Sequence, residues 1–174
     1  QRVSELVLNM LDYSKERKPA YERAGLREHL QNISDLMVER AKEKDVQIEF
    51  AYDEAMPEIE CDPLAIYRAV LNLMTNAIDA AEHGGRQVTL QAKPEADGQH
   101  VAIRVADNGL GIPPEAQAKL FQAFHSTKDS KGTGLGLAVT KKIVDEHHGR
   151  IQVETTAGKG TSFTIQLPIN KPAT

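Results

Sequence analysis

The stretch LNLMTNAIDA, residues 71–80, holds two asparagines four residues apart inside an apolar helical pattern. Asn72 and Asn76 therefore share one face of the predicted helix. Amide oxygens on such a face are suitable ligands for a hard cation such as Mg²⁺. Taken alone, the pattern equally describes two solvated asparagines on an ordinary amphipathic helix. The core-facing side of this helix is predicted to hold Leu71, Met74, Ile78 and Ala81.

The helix around this stretch has recognisable ends. It begins at Asp62, a capping carboxylate that precedes Pro63 in the first turn, and is predicted to end near Glu82, before two glycines. Upstream, residues 26–44 predict a helix and residues 46–50 alternate as a half-buried strand. The residues predicted to face inward from the upstream helix are Leu30, Ile33, Leu36, Met37 and Ala41.

Downstream of the stretch, strand patterns alternate with helical patterns. This alternation predicts an α+β fold, an α/β sandwich in which helices cover one face of a mixed sheet. Residues 1–17 add an amphipathic helical remnant, which is too short to be stable alone. Gly149 is predicted to cap the last helix. The predicted elements are strands at 87–93 and 100–107, helices at 114–123 and 135–148, and a hairpin of strands at 150–154 and 162–167.

A second motif, DNGLGI, occupies residues 107–112 at the end of an alternating strand. Asp107 is expected to be a buried carboxylate there and to need a donor partner, for which an adenine amino group is suitable. Gly109 and Gly111 allow the backbone to approach a flat ligand closely. The alternative is a simple hairpin turn, since Asn-Gly is a common turn pair.

A third motif, STK at 126–128 followed by GTGLGL at 132–137, leads directly into a helix. Backbone amides at a helix N-terminus bind anions, and Lys128 adds positive charge. The spacing does not match the dinucleotide fingerprint, because Leu137 stands where glycine is required, and no P-loop triplet is present. A merely flexible loop is the alternative.

Composition restricts the function classes. The chain has 174 residues, is 40% hydrophobic and has a formal charge of -4, so it is globular and lacks the basic field that nucleic acid binding needs. A single cysteine, Cys61, excludes an internal disulfide. No apolar run reaches the ~20 residues of a membrane span and no signal peptide is evident. The chain opens within a helical pattern, which suggests a fragment of a longer protein that could carry a membrane anchor.

The order and spacing of these motifs resemble the ATPase domain shared by sensor histidine kinases, DNA gyrase, MutL-type repair proteins and a heat-shock chaperone, the Bergerat fold. The resemblance covers about residues 26–168. In it, residues 72–80 are similar to the N box, 107–111 to the first glycine box and 121–124 to the phenylalanine box. Residues 132–136 resemble the second glycine box and 158–161 the closing one.

The resemblance implies a role for each box. Asn76 would bind Mg²⁺, Asn72 would lie near the phosphates, Asp107 would hold the adenine amino group and Thr161 would lie at the adenine edge. Residues 124–134 would form a short lid, as in kinases of the nitrogen-regulation type. The implied ATP-binding residues are Asn72, Asn76, Asp79, Ala80, Asp107, Gly109, Gly111, Ile112, Phe124, Ser126, Thr127, Lys128, Gly132, Thr133, Gly134, Leu135, Gly136, Leu137 and Thr161.

One position separates the branches of this family. Gyrase-like and repair-type members resemble one another in a glutamate four residues before the metal-binding asparagine, where it serves as general base. Asn72 occupies that position here, and an amide cannot accept a proton at neutral pH. The resemblance therefore favours a histidine kinase. An anti-sigma-type serine kinase and a nucleotide-binding module without turnover are the alternatives.

The acceptor half of such a kinase is not recognisable in the chain. The histidines at 29, 83, 100, 125, 147 and 148 all lack the family's histidine-acidic context on a long helix. The expected organisation is the end of a dimerisation hairpin plus linker at 1–20, a catalytic domain at 21–170 and a tail at 171–174. The implied partners are the hairpin histidine of a homodimeric parent and a response regulator, and the implied location is the cytoplasm.

Overall fold

The computed structural model describes residues 18–123 and 134–172. The predicted helix at 1–17 and the lid residues Phe124, Ser126, Thr127, Lys128, Gly132 and Thr133 lie outside the described residues. No helix within the described ranges is both long and apolar enough to cross a membrane. In chain order the elements are β1 (Glu22–Ala24), α1 (Arg27–Glu43), β2 (Gln47–Tyr52), β3 (Ile59–Cys61), α2 (Pro63–Ala81), β4 (Gln87–Pro94), β5 (His100–Asp107), α3 (Pro114–Gln117), α4 (Gly136–Glu146), β6 (Arg150–Thr156) and β7 (Gly160–Pro168).

Five of these strands form one mixed sheet in the order β2-β4-β5-β7-β6. β2 runs parallel to β4, and the remaining neighbours are antiparallel. β1 and β3 pair separately as a short antiparallel ribbon. The predicted α+β class with a mixed sheet is confirmed, although both strands of the short ribbon were missed because three residues carry too little pattern to be recognised.

The core lies between one face of the sheet and the helices α1, α2 and α4. Alternate residues of the two central strands are buried in it, because successive side chains of a strand point to opposite faces. The buried strand residues are Val101, Ile103 and Val105 of β5 and Phe163, Ile165 and Leu167 of β7. The intervening residues of β5, β6 and β7 include Arg104, Gln152 and Gln166, which leave the opposite face of the sheet polar. Helical cover on one face is therefore confirmed.

Two details of the helices differ from the prediction. Leu36 was expected to face inward, but its side chain is 55% exposed, because it is off the stripe formed by Leu30, Ile33, Met37 and Ala41. The helix predicted at 114–123 is α3, only four residues long. The residues that follow it, up to 123, form turns.

Gly149 was predicted to cap the last helix, and this is wrong by one residue. His148 takes the left-handed conformation, with φ of 55°. The N–H of His148 donates to the carbonyl of Asp145 and that of Gly149 to the carbonyl of Val144, both at 2.9 Å, the paired bonds of a Schellman motif. Glycine is needed at 149 for a different reason, since a Cβ there would lie 2.5 Å from the carbonyl oxygen of Gln166.

The start of α2 and the end of α4 meet in a buried polar group that we call the Asp62 cluster, comprising Asp62, His147 and Tyr21. Asp62 caps α2 as predicted, since its Oδ1 accepts from the N–H of Ala65 at 3.0 Å. Its Oδ2 accepts from the N–H of Ala20 at 3.0 Å. The Tyr21 hydroxyl donates to the carbonyl of Glu146 at 2.6 Å, and its ring lies 5.2 Å from that of His147.

Both ring nitrogens of His147 have partners within the Asp62 cluster or α4. Nε2 accepts from the backbone N–H of Asp62 at 2.9 Å, so Nδ1 carries the proton and donates to the carbonyl of Ile143 at 2.7 Å. Burial lowers the pKa of His147, outweighing the opposing hydrogen bond to Ile143 and the charges of Asp62 and Glu146. The cluster therefore holds a neutral histidine.

α2 and α4 run antiparallel and are joined at three levels. The Asn72 amide nitrogen donates to the carbonyl of Gly136 at 3.3 Å, at the beginning of α4. Halfway along, the Thr140 hydroxyl bonds to the carbonyl of Gly136 at 2.9 Å and also lies 3.4 Å from the carbonyl of Ala69. His147 completes the series at the other end through its bond to Asp62.

Candidate functional site

The asparagine face of α2 lies at the level where α4 begins. Asn72 and Asn76 are both half-buried, and the Asn72 side chain contacts Gly136. Leu73, Met74, Ala77 and Ile78 are buried on the other side of the helix. The helix thus presents its amides beside the glycine-rich start of α4, as the shared face of the two asparagines predicts.

Asp107 lies at the end of β5 on the helix-facing side of the sheet. Its register partner on β7 is Thr161, which is only 5% exposed. The Oδ1 of Asp107 accepts from the N–H of Gly109 at 2.9 Å, which starts the turn that leaves the strand. Gly160 packs closely behind, because a Cβ at that residue would lie 2.0 Å from the carbonyl oxygen of Asp107.

The glycines of residues 109–111 bring this loop against two other elements. A Cβ at Gly109 would lie 2.3 Å from the carbonyl oxygen of Ala80, so glycine permits direct contact with the end of α2. Gly111 has φ of 67°, and a Cβ there would lie 2.1 Å from the carbonyl oxygen of Thr156 on β6. Through Ala80 and these two glycines, all predicted for the site, the loop connects α2 to the hairpin of β6 and β7.

Residues 134–137 form the described part of the predicted phosphate loop. Gly134 has φ of 67°, Leu135 is fully buried, and α4 begins at Gly136. Within the described residues no side chain caps this N-terminus. The first backbone N–H groups of α4 are thus placed next to Asn72, where the helix dipole favours an anion.

Asp79, one turn beyond Asn76, lies in a group of charges between α1 and α2. Its Oδ1 is 2.9 Å from Nη2 of Arg40 and 3.3 Å from Nζ of Lys44, which also pairs with Glu82. Burial lowers the pKa of Lys44, but its bonds to Glu82 and Asp79 outweigh burial and leave the pKa raised. The hydrogen bond from Lys44 lowers the pKa of Glu82. These pairs attach the asparagine helix to α1.

One residue that the sequence analysis did not single out lies at the centre of the loop contacts. The hydroxyl of Thr155 on β6 accepts from the backbone N–H of Ile112 at 2.9 Å. The side-chain amide of Gln117 donates to the carbonyl of Ile112 at 2.9 Å, so Ile112 is held from both sides. The signal for Thr155 is that a polar residue follows Ile151 and Val153 on the buried side of a strand.

A family model described as histidine kinase-, DNA gyrase B-, and HSP90-like ATPase matches residues 61–171. The chain belongs to this family. Sporulation kinase E of Bacillus subtilis strain 168 is 33% identical over 174 residues, which are 99% of this chain and 23% of that protein. Sensor histidine kinase ZraS of Escherichia coli K12 is 35% identical over 170 residues, 97% of this chain and 36% of that protein. The chain thus spans well under half the length of these relatives.

Solved structures of the same family share the fold. Full-length ShkA in complex with AMPPNP superimposes with a TM-score of 0.86 at 29% identity, over 99% of this chain and 37% of that one. Histidine kinase ThkA in complex with the response regulator protein TrrA gives a TM-score of 0.78 at 28% identity, over 97% of this chain and 47% of that one. The resemblance to the ATP-binding catalytic domain of sensor histidine kinases is therefore confirmed.

As a member of this ATPase family, the chain is an ATP-binding domain. At one end of the candidate cleft, the side chain of Asn72 contacts Gly136 at the start of α4. At the other end, Asp107 and Thr161 are in register, and the loop that carries Gly111 and Ile112 contacts β6. Ala80 contacts Gly109 and connects the two ends. The individual nucleotide contacts of all these residues stay predictions.

Proposed function

We propose that the chain is the catalytic half of a two-component sensor histidine kinase, which transfers the γ-phosphoryl group of Mg²⁺-ATP to a histidine on a helical hairpin of the parent protein. The observation that carries this proposal is the amide at position 72. Its nitrogen donates to Gly136, so the side chain links two helices. It cannot take a proton from water at neutral pH, and hydrolysis by this route lacks its general base.

The proposed binding mode uses the two ends of the cleft. Asp107 would accept from the adenine amino group, with Thr161 beside it on the neighbouring strand. The amides at the start of α4 would bind phosphate oxygens, an arrangement that a helix N-terminus favours. The glycines at 109 and 111 support this mode because they keep side chains out of the loop between the two ends.

The metal proposal rests on donor chemistry. Within residues 18–123 and 134–172 no group of three histidine, cysteine or carboxylate side chains is placed to hold a metal ion. Mg²⁺ commonly takes few protein ligands and keeps water and substrate phosphate oxygens as the others. The half-buried Asn76 on the asparagine face fits such a site, and we propose its amide oxygen as the ligand.

Transfer requires the chain to position reactants more than to react itself. The bond between the γ-phosphorus and its bridging oxygen breaks, a phosphorus–nitrogen bond to the acceptor imidazole forms, and ADP leaves. The acceptor's proton would go to a base beside that histidine, which the resemblance assigns to the hairpin. This chain would contribute orientation and charge stabilisation at the phosphates.

The environment of His147 excludes it as the phosphoryl acceptor. Both of its ring nitrogens are hydrogen-bonded in the interior, so neither can attack phosphorus.

We propose that residues 1–20 end the dimerisation hairpin and its linker, that 21–170 form the catalytic domain and that 171–174 are a tail. The parent would be a cytoplasmic-facing homodimer that passes its phosphoryl group to a response regulator, the class of protein bound by ThkA.

The test is phosphotransfer to a restored hairpin. The chain is extended upstream to include the hairpin and is incubated with ATP labelled at the γ-phosphate. Acid-labile label on the hairpin histidine is the expected result. The label should disappear when that histidine is replaced by glutamine, in the variant Asn76→Ala, or when Mg²⁺ is removed with a chelator. Label on serine would instead identify a serine kinase.

A nucleotide-binding module without turnover is distinguished in the same experiment. It would bind a non-hydrolysable ATP analogue but leave the restored hairpin unlabelled. That result would contradict the kinase proposal while leaving ATP binding intact.

A further inference from the structure

Three polar side chains lie side by side on the helix-facing surface of the sheet. Asp107 of β5 is in register with Thr161 of β7, and Thr161 is in register with Thr155 of β6. The equivalent row two residues further into the sheet is entirely apolar and consists of Val105, Phe163 and Val153. The polar row therefore marks the line at which the apolar core ends and the candidate base pocket begins.

The hydroxyl of Thr155 has three polar neighbours. It accepts from the N–H of Ile112 at 2.9 Å and lies 3.0 Å from the Thr161 hydroxyl. It also lies 3.1 Å from the carbonyl oxygen of Gly160, to which it can donate. A hydroxyl has one proton and two lone pairs, so these three contacts match its whole hydrogen-bonding capacity.

One assignment of donors and acceptors satisfies all three contacts of the Thr155 hydroxyl at once. The N–H of Ile112 uses one lone pair of Thr155, and the carbonyl of Gly160 can only accept, so it takes the Thr155 proton. The second lone pair then accepts from Thr161. The Thr161 hydroxyl, having donated to Thr155, has only acceptor capacity left for a ligand.

We propose that Thr155 is a positioning residue that sets the base specificity of the pocket. It holds the backbone of Ile112 in the loop and orients the Thr161 hydroxyl as an acceptor. An ionised carboxylate also only accepts, so Asp107 and Thr161 together form an edge that recognises a donor on the base. A 6-amino purine is matched to this edge, and a 6-oxo purine presents acceptor to acceptor. The proposal rests on the proposed placement of the base beside Asp107.

A purely structural role makes a different prediction from a role in specificity. If Thr155 only attached the loop to the hairpin, its removal would lower the affinities for adenine and hypoxanthine nucleotides by the same factor. If it orients Thr161, its removal frees that hydroxyl to rotate and donate to a 6-oxo group. The ratio of the two affinities is therefore the informative quantity.

The test compares ADP with IDP, which differ in the amino or oxo group at position 6 and the proton at N1. Their affinities for the chain and for Thr155→Val are measured by displacement of a fluorescent ADP analogue. Valine keeps the shape and the β-branching of threonine, so the strand should be retained. We expect ADP affinity to fall about five- to tenfold, the effect of losing one hydrogen bond, while IDP affinity changes less than about twofold.

Three further single variants and one double variant control the experiment. Thr155→Ser should restore the ratio because it restores the hydroxyl. Thr164→Val, on the opposite face of β7, should leave the ratio unchanged. Thr161→Val should reduce the ratio of ADP affinity to IDP affinity, as Thr155→Val does. The double variant should reduce this ratio no further, since both substitutions remove the same acceptor. Thr161→Val tests the acceptor role of Thr161, on which the proposal depends, even if Thr155→Val folds poorly.

The outcomes separate this proposal from the proposed function. The specificity role would be overturned if Thr155→Val lowered the ADP and IDP affinities equally. It would also be overturned if the effects of the two substitutions on the affinity ratio added in the double variant. Failure of the unsubstituted chain to bind ADP, or equal binding of ADP and IDP by it, would instead overturn the placement of adenine beside Asp107.

Discussion

The Asp62 cluster and the polar row of Asp107, Thr161 and Thr155 are two polar groups at the margins of one apolar core. In the Asp62 cluster, both carboxylate oxygens of Asp62 and both ring nitrogens of His147 have partners from the protein itself. The polar row lies at a strand end beside a glycine-rich loop, with Asp107 half-buried. A buried polar group whose members bond to one another stabilises the fold, whereas the polar row at the end of the strands is the group that we propose for base recognition.

Asp62→Ala is expected to give the largest effect, a loss of folding stability through the Asp62 cluster. The substitution removes the cap of α2 and leaves the N–H groups of Ala65 and Ala20 without their acceptors. We expect the free energy of unfolding to fall by about 2–3 kcal/mol, measured by denaturant titration. Asp35→Ala, at an exposed aspartate of α1, should change it by less than about 0.5 kcal/mol. An equally small effect at Asp62 would mean that the cluster does not stabilise the fold.

Asp107→Asn tests the other side of the comparison. It keeps the size of the side chain but replaces one acceptor oxygen with a donor, so the base should lose a charge-assisted hydrogen bond. We expect ADP affinity to fall about 10- to 100-fold in calorimetry, corresponding to about 1.5–3 kcal/mol. Stability should change much less than in Asp62→Ala. Unchanged ADP affinity would exclude the proposed contact with the base.

The smallest effect is a pH dependence confined to the Asp62 cluster. Burial lowers the pKa of His147 below its ordinary value of 6.5, so the unfolded chain binds this proton more readily than the folded one. Its contribution to stability is therefore complete above pH 6.5 and decreases as the pH falls through 6.5 toward the folded-state pKa. The slope approaches about 1.4 kcal/mol per pH unit per proton.

This dependence is checked by denaturant titrations from pH 8 to pH 5. His147→Gln should flatten the decline below pH 6.5, whereas His83→Gln, at an exposed histidine, should not. An identical decline in all three proteins would mean that His147 is not the group responsible.

The features predictable from sequence were those encoded locally. The α2 start at Asp62 and Pro63, the shared face of Asn72 and Asn76 and the strand leading to Asp107 depend on spacing within one element. Family membership followed from the order of such local motifs. The structure supports these predictions by bringing the asparagine face of α2 to the start of α4, where Asn72 bonds to Gly136.

The features that were missed depend on contacts between elements. Thr155 matters because strand register places it beside Thr161 and the loop places Ile112 above it, and neither neighbour is close in sequence. Leu36 and Gly149 were misjudged for the same reason. The actual core stripe of α1 and the proximity of Gly149 to Gln166 are both set by tertiary packing.

The three polar contacts between α2 and α4 have a mechanical consequence. They occur at Asn72, Ala69 and Asp62 on one helix and at Gly136, Thr140 and His147 on the other. Sliding either helix by one residue, about 1.5 Å, would misalign all three contacts together. The two helices therefore behave as one rigid plate, with the asparagine face at one end and the attachment of Ala20 and Tyr21 at the other.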